Sequence, residues 1–176
     1  TGIGFLPLRI VSFLSSIIIF VIIYTIVKKE TGSRFYGYIS LCLFAATYKA
    51  SGSWLDIGRI DSMFLALFLI AVYIIRFKET PVYYVLAGLF FTLSFFTKQT
   101  ALIMAMPVLL YLLYSKRKPA LYVILSFALS SILITFLYNY YSNGWFWYYV
   151  FELPGKHRIF KMAIISFWDL FLFKKL

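Results

Sequence analysis

The sequence predicts an all-α fold, a polytopic bundle of about six to seven transmembrane helices. Three observations carry that prediction. Hydrophobic residues make up 63% of the 176, and the mean hydropathy is +0.91, more apolar surface than the interior of a soluble domain can hide. Apolar runs recur along the whole chain, each closed by a short polar segment. The basic residues collect in alternate polar segments, the pattern that orients membrane helices.

The elements follow in order. The first span is read over 8–27, opened by Arg9, and its run from Ile17 to Ile23 is apolar on every side, as for a lipid-facing helix. A polar loop over 28–34 leads to a short second span, 35–48. The next loop holds Lys49, Gly52, Trp54, Asp56, Gly58 and Arg59, and Asp61 then opens a third span over 61–75. After the loop Arg76-Phe77-Lys78-Glu79-Thr80-Pro81, the fourth and fifth spans, 82–97 and 101–114, flank Lys98. A basic loop over 115–119 precedes a sixth span, 120–138. Residues 139–161 are read as a long aromatic and polar connection, and 162–173 as the start of a partial seventh span. All of 1–176 is read as one transmembrane domain. The chain opens on Thr1 without a signal-peptide pattern and stops soon after an apolar run begins, so it is read as a piece of a longer multi-span protein.

Charge sets the orientation. Lys28, Lys29, Arg34, Arg76, Lys78, Lys116, Arg117 and Lys118 fall in three alternate loops, which the positive-inside rule places in the cytoplasm. The segments around Asp61, Lys98 and His157 then share the opposite face, external or periplasmic, of an inner or plasma membrane. The net charge of +11 does not indicate nucleic acid, because the basic residues lie between apolar spans and form no basic domain face. Anionic membrane lipids are the expected counterpart. One cysteine, Cys42, and one histidine, His157, exclude a disulfide framework and a multi-His or multi-Cys metal site. No cofactor is expected, and nothing in the sequence indicates a divalent metal. Walker A, His-Glu-x-x-His and Gly-x-Ser-x-Gly motifs are absent, so any chemistry belongs to scattered polar residues on the external side.

Lys98 is the most informative of these. The apolar runs on either side have 16 and 14 residues, which as helices reach roughly 24 and 21 Å against a hydrocarbon core of about 30 Å. The turn Lys98-Gln99-Thr100 is thus expected below the membrane surface, where a lysine requires an anion, carbonyls or trapped water. The alternative is a lysine that snorkels to the headgroups and marks an ordinary loop. Asp61 faces a similar choice. It is either a first-turn carboxylate favoured by the helix dipole, with Ser62 assisting the cap and Arg59 as a surface ion partner, or a group facing the same recess as Lys98. Asp56 has the weaker case, since Trp54-Leu55-Asp56 also reads as an interfacial anchor. The run from Tyr140 to Tyr149 around Asn143-Gly144 is an aromatic interface belt or a stacking surface for a sugar or headgroup. It leads to Glu152 and then Lys156-His157-Arg158, a cluster suited to phosphate or to lipid headgroups.

The order of these elements resembles the GT-C superfamily of integral membrane glycosyltransferases, in the branch of protein O-mannosyltransferases and aminoarabinose-lipid A transferases. The residues that carry the resemblance are Arg9-Ile10-Val11-Ser12, Arg59-Ile60-Asp61-Ser62-Met63, Ala87-Gly88-Leu89, Phe96-Thr97-Lys98-Gln99-Thr100-Ala101-Leu102 and Pro107, with a His-Arg pair after the sixth span. The resemblance implies a polyprenyl-phosphate-linked sugar donor, a lipid, glycan or protein acceptor, and transfer on the external face. It implies that Lys98 contacts the donor phosphate, with His157 and Arg158 matching a later phosphate-binding segment; the chain reads Lys156-His157-Arg158 in place of a His-x-x-Arg spacing. Asp61 lines the active-site cavity by the same analogy, and Arg59, Asp56, Gln99 and Glu152 are the other cavity candidates. The catalytic aspartate of that family lies on an external loop expected upstream of Thr1, so the catalytic residue is unknown here and this piece alone is expected to be inactive. Two rival functions stay open at this point: a transporter or flippase of a lipid-linked or anionic solute, with Lys98 at its midplane, and a non-catalytic membrane subunit.

Overall fold

A computed structural model describes residues 4–49 and 58–156. Every regular element among them is helical. The helices are α1 (Leu6–Thr31), α2 (Arg34–Ala46), α3 (Asp61–Phe77), α4 (Pro81–Thr97), α5 (Thr100–Ser115) and α6 (Arg117–Tyr141). Two short turns, α7 (Trp145–Trp147) and α8 (Leu153–Gly155), flank a π-helical segment, Tyr148–Glu152. The chain divides into two compact units, Thr1–Ile134 and Thr135–Leu176. Helices α1 and α6 have 26 and 25 residues and are apolar enough to cross a membrane, and α4 and α5 are shorter apolar helices. The protein is an integral membrane helical bundle.

Local chemistry sets the helix ends. Pro7 and Pro81 stand in the first turns of α1 and α4, where a missing N–H costs nothing. Gly32 closes α1 with φ 70°, and its N–H donates to the Lys28 carbonyl at 2.9 Å. Pro107 lies inside α5 and removes one rung of its hydrogen-bond ladder.

In the first unit the core is built from Phe68, Ala71 and Ile74 of α3, Tyr84, Ala87 and Phe91 of α4, and Ala105, Leu109 and Leu112 of α5. The early part of α6 adds Ala120 and Val123. The seam between α4 and α6 is close at Gly88. A Cβ placed on Gly88 would come within 2.6 Å of the Val123 carbonyl oxygen and 2.7 Å of the Ser126 Cβ, so only glycine lets the two backbones approach this closely. Ser126 Oγ donates to the Val85 carbonyl at 2.8 Å, and the Thr92 and Ser130 hydroxyls are 2.6 Å apart. Gly88 is thus a helix contact, as its place within an apolar span suggests. An open apolar groove of about 410 Å³ runs beside this seam, lined by Leu89, Leu125, Leu129 and Leu133 among others.

One end of the first unit is basic and cross-linked. Arg76 grips Glu30 in a bidentate pair, Nε to Oε1 at 2.5 Å and Nη2 to Oε2 at 2.9 Å. Lys29 Nζ donates to the Tyr73 hydroxyl at 2.8 Å and sits over the Phe77 ring. Lys116 reaches Glu79 at 3.2 Å. These links put the C-termini of α1 and α3 and the loops before α4 and α6 at one end, which gathers the three basic loops there.

In the second unit the structure departs from the expected connection over 139–161. Helix α6 continues to Tyr141, and after the turn at Asn143 (φ 51°) and Gly144 (φ 90°) the chain is helical from Trp145 to Gly155. The reason lies in two side chains. Asn139 Oδ1 accepts from the Trp147 N–H at 3.0 Å and Ser142 Oγ from the Phe146 N–H at 2.9 Å, so the unpaired amides of a new helix start are satisfied from the preceding helix. Aromatics four apart then stack, Trp145 on Tyr149 at 5.8 Å and Trp147 with Phe151 at 4.6 Å. The expected span at 162–173 lies outside the described residues.

Candidate anion site at the ends of α3 and α4

The site is assembled at the end of the first unit opposite the basic cluster. Its foundation is the start of α1. The segment before α3 lies against that helix at Gly58, where a Cβ would meet Leu8 Cβ at 2.9 Å. Ser12 Oγ donates to the Arg59 carbonyl at 2.8 Å, and Ser16 Oγ to the Ser12 carbonyl at 2.9 Å. This fixes the chain direction just before Asp61, the first residue of α3.

Lys98 arrives from α4. It is the residue after the last helical one, in an extended conformation (φ −153°, ψ 119°), and its N–H closes the helix on the Ser94 carbonyl at 2.9 Å. One turn below, Ser94 Oγ donates to the Phe64 carbonyl at 2.9 Å and ties α4 to α3. The Lys98 ammonium then donates to Asp61 Oδ1 in a close ion pair and stands 5.4 Å from the Phe64 ring centre. On the other oxygen, Arg59 Nε lies 2.9 Å from Asp61 Oδ2. That contact is an ion pair by distance but is misaligned as a hydrogen bond, so Oδ2 has no well-directed donor.

Burial orders the three charges. The Asp61 side chain is 3% exposed, Lys98 29% and Arg59 54%. The carboxylate is buried and the cations face outward from it, so an incoming ligand meets positive charge first. Depth can be read from helix lengths. Helices α3 and α4 have 17 residues each, about 26 Å along the axis, and α1 has 26, about 39 Å. Ser12 marks the level of Arg59 on α1, and that helix extends a further six residues to Leu6, about 9 Å. The charged set is therefore recessed relative to the start of α1.

Of the residues singled out from the sequence, Arg59, Asp61 and Lys98 are brought together. Gln99 is exposed at the start of α5. Glu152 belongs to the second unit, where its carboxylate lies 4.0 Å from Lys156. Asp56, Trp54, His157 and Arg158 lie outside the described residues. The expected assistance of Ser62 in capping is not found. The residue before α3 is Ile60, no side-chain cap forms, and Ser62 is 2% exposed with no hydrogen-bond partner for its hydroxyl among the described residues. The reason is register: a capping side chain belongs to the residue before the first helical one, and Ser62 is already the second. Sequence reasoning missed Ser94 and Phe64, and it named Ser12 only within the run that carries the resemblance, with no part in the site. A signal for Ser12 exists, since Ser12, Ser15, Ser16 and Ile19 fall at i, i+3, i+4 and i+7 and form the buried face of α1. Among the described residues no three carboxylate, thiol or imidazole groups come together as a metal site. The charged residues do not line the apolar groove beside α4 and α6.

The arrangement suits an anion. Two cations converge on one buried carboxylate, and both have outward-facing surface. Comparison with known proteins gives one family: the model of the dolichyl-phosphate-mannose-protein mannosyltransferase family matches residues 1–141. The match includes Arg59, Asp61 and Lys98 and ends before Glu152. No curated protein and no solved structure matches the chain.

Proposed function

The chain belongs to the dolichyl-phosphate-mannose-protein mannosyltransferase family, and on that premise we propose that it transfers a sugar from a polyprenyl-phosphate donor, with Lys98 and Arg59 as the phosphate-binding groups. The observation that carries this reading is the recessed, outward-facing pair of cations held on buried Asp61. In the reaction an acceptor hydroxyl or amine attacks the anomeric carbon. The bond from that carbon to the phosphate oxygen breaks, the electron pair stays on the phosphate, and the acceptor proton passes to a base. Negative charge grows on the leaving phosphate, and a preorganised ammonium in a partly dry recess stabilises it where water does not. Asp61 is not assigned as the base, because both its oxygens face cations and neither is presented to an acceptor. The acceptor is a lipid, a glycan or a protein. By the positive-inside rule the basic end faces the cytoplasm, so the donor site opens on the external face of a plasma or inner membrane. His157 and Arg158 are proposed as further phosphate contacts.

The test is transfer of a radiolabelled sugar from its polyprenyl-phosphate donor by the membrane-embedded protein. Lys98→Ala is expected to lower turnover about a hundredfold or more. Turnover at the wild-type level in that variant would remove Lys98 from the mechanism.

A further inference from the structure

We propose that the apolar groove between α4 and α6 holds one anionic phospholipid of the leaflet at the basic end, with its phosphate at Lys118 and Arg117 and one acyl chain along Leu125, Leu129 and Leu133. The inference does not rest on the donor site, which lies at the opposite end of the first unit.

The groove follows from small residues at a close seam. Gly88 brings the α4 and α6 backbones together, and Ser126 and Ser130 are too short to fill the space between the larger side chains that line it. Those serines are already satisfied within the protein. Ser126 Oγ donates to the Val85 carbonyl at 2.8 Å, Ser130 Oγ to the Ser126 carbonyl at 2.6 Å, and the Thr92 and Ser130 hydroxyls meet at 2.6 Å. A hydrocarbon chain can cover them without leaving a polar group unpaired.

Length selects the chain. The α6 side of the groove runs from Tyr122 to Leu133, about 17 Å along the helix axis. One leaflet of the hydrocarbon core is about 15 Å, half of the whole. The groove therefore matches one acyl chain of one leaflet, whereas a docked transmembrane helix would call for a face along the full 25 residues of α6.

Charge selects the headgroup. Lys118 stands four residues before Tyr122 and seven before Leu125, so α6 carries it on the groove-lining face, one turn beyond the end of the groove. Arg117 is its neighbour. Both are exposed, and neither forms an ion pair or hydrogen bond among the described residues. Other cations at this end are engaged: Lys116 with Glu79 at 3.2 Å, Arg76 with Glu30, and Lys78 over the Tyr83 ring at 5.1 Å. A zwitterionic headgroup brings its own cation to its phosphate. An anionic headgroup leaves that charge to Lys118 and Arg117.

The experiment adds phosphatidylglycerol or phosphatidylcholine with the same acyl chains to the full chain in detergent micelles and counts retained lipid by mass spectrometry of the intact complex. The wild type is expected to retain one phosphatidylglycerol in preference to phosphatidylcholine. Arg117→Gln with Lys118→Gln should lower that preference about tenfold. Leu129→Trp, at a position 65% exposed, fills the groove and should lower retention of both lipids. Arg34→Gln removes a cation at the start of α2, which packs on α1, and should leave the preference unchanged. Equal retention of the two lipids by the wild type overturns the inference, as does a preference unmoved by the double variant. A loss in Arg34→Gln as large as in the double variant would mean a diffuse basic surface in place of a site, and wild-type retention in Leu129→Trp would remove the groove from it. Should Leu129→Trp fail to fold, the charge variants at exposed positions still decide the matter.

Discussion

Replacing Lys98 by methionine separates what the ion pair does for the fold from what the lysine does for transfer. The variant keeps most of the side-chain volume and removes the ammonium from Asp61, whose side chain is 3% exposed. Removing one partner of a buried pair typically costs 3–5 kcal/mol, because the remaining charge is left without compensation. Here Arg59 stays 2.9 Å from Oδ2 but is 54% exposed and misaligned, so it offsets part of that cost. The expected destabilisation is therefore about 2–3 kcal/mol. In the double variant Lys98→Met with Asp61→Asn the stranded charge is gone, and stability should return to within about 1 kcal/mol of wild type. Stability is read by reversible denaturant unfolding in mixed micelles, and transfer with the labelled donor. The phosphate-binding reading requires that the double variant recover stability and stay inactive. Recovery of both would show that the pair is only a strut, and an additive loss of stability would show that the two charges are not coupled.

Two further outcomes follow from the packing and from the basic end. Gly88→Ala should destabilise by about 1–3 kcal/mol, since the added Cβ lies 2.6 Å from a backbone oxygen that cannot turn away; the same unfolding assay checks it, and a change below about 0.5 kcal/mol would contradict the α4–α6 seam. Glu30 lies beyond the first span, and its hydrogen bond to Arg76 holds its pKa below the usual 4.5, with the Arg76 charge adding to the effect. A depressed carboxylate stabilises above its unfolded value and loses that contribution as pH falls through the lowered folded value. The stability difference between wild type and Glu30→Gln should therefore be present at neutral pH, vanish as the pH is lowered below about 4.5, and shrink with added salt.

The fold class was legible because helix in a membrane is forced by the backbone. With no water to satisfy its polar groups, an apolar run becomes a helix wherever it is long enough. The apolar runs 8–27, 61–75, 82–97, 101–114 and 120–138 lie within α1, α3, α4, α5 and α6, and two short runs around one charge are the ground for expecting Lys98 to be recessed. The helix past Asn143 was not legible. Its start depends on Asn139 and Ser142 reaching across a turn to capture amides, and no period in the aromatic run announces that. The role of Ser62 was misread because a cap is defined by register, and a one-residue shift in the helix start changes which side chain can reach the amides.

For the site, the sequence by itself supports only an expectation, that Lys98 lies below the membrane surface on the same face as Asp61. It left Lys98 between two fates, a headgroup contact or a buried partner, and Asp61 between a dipole-favoured first-turn residue and a member of the site. The tertiary structure combines them: Asp61 is the first residue of α3 with the exposed Arg59 as an ion partner, and the same carboxylate pairs with Lys98. Asp61 and Lys98 are 37 residues apart, and what joins them is the antiparallel pairing of α3 and α4, locked at Ser94 and Phe64 and braced by Ser12 on α1. A buried charge must find its counterion, but which one it finds depends on helix register and crossing, to which packing such as that of Phe68 on Phe91 between α3 and α4 contributes.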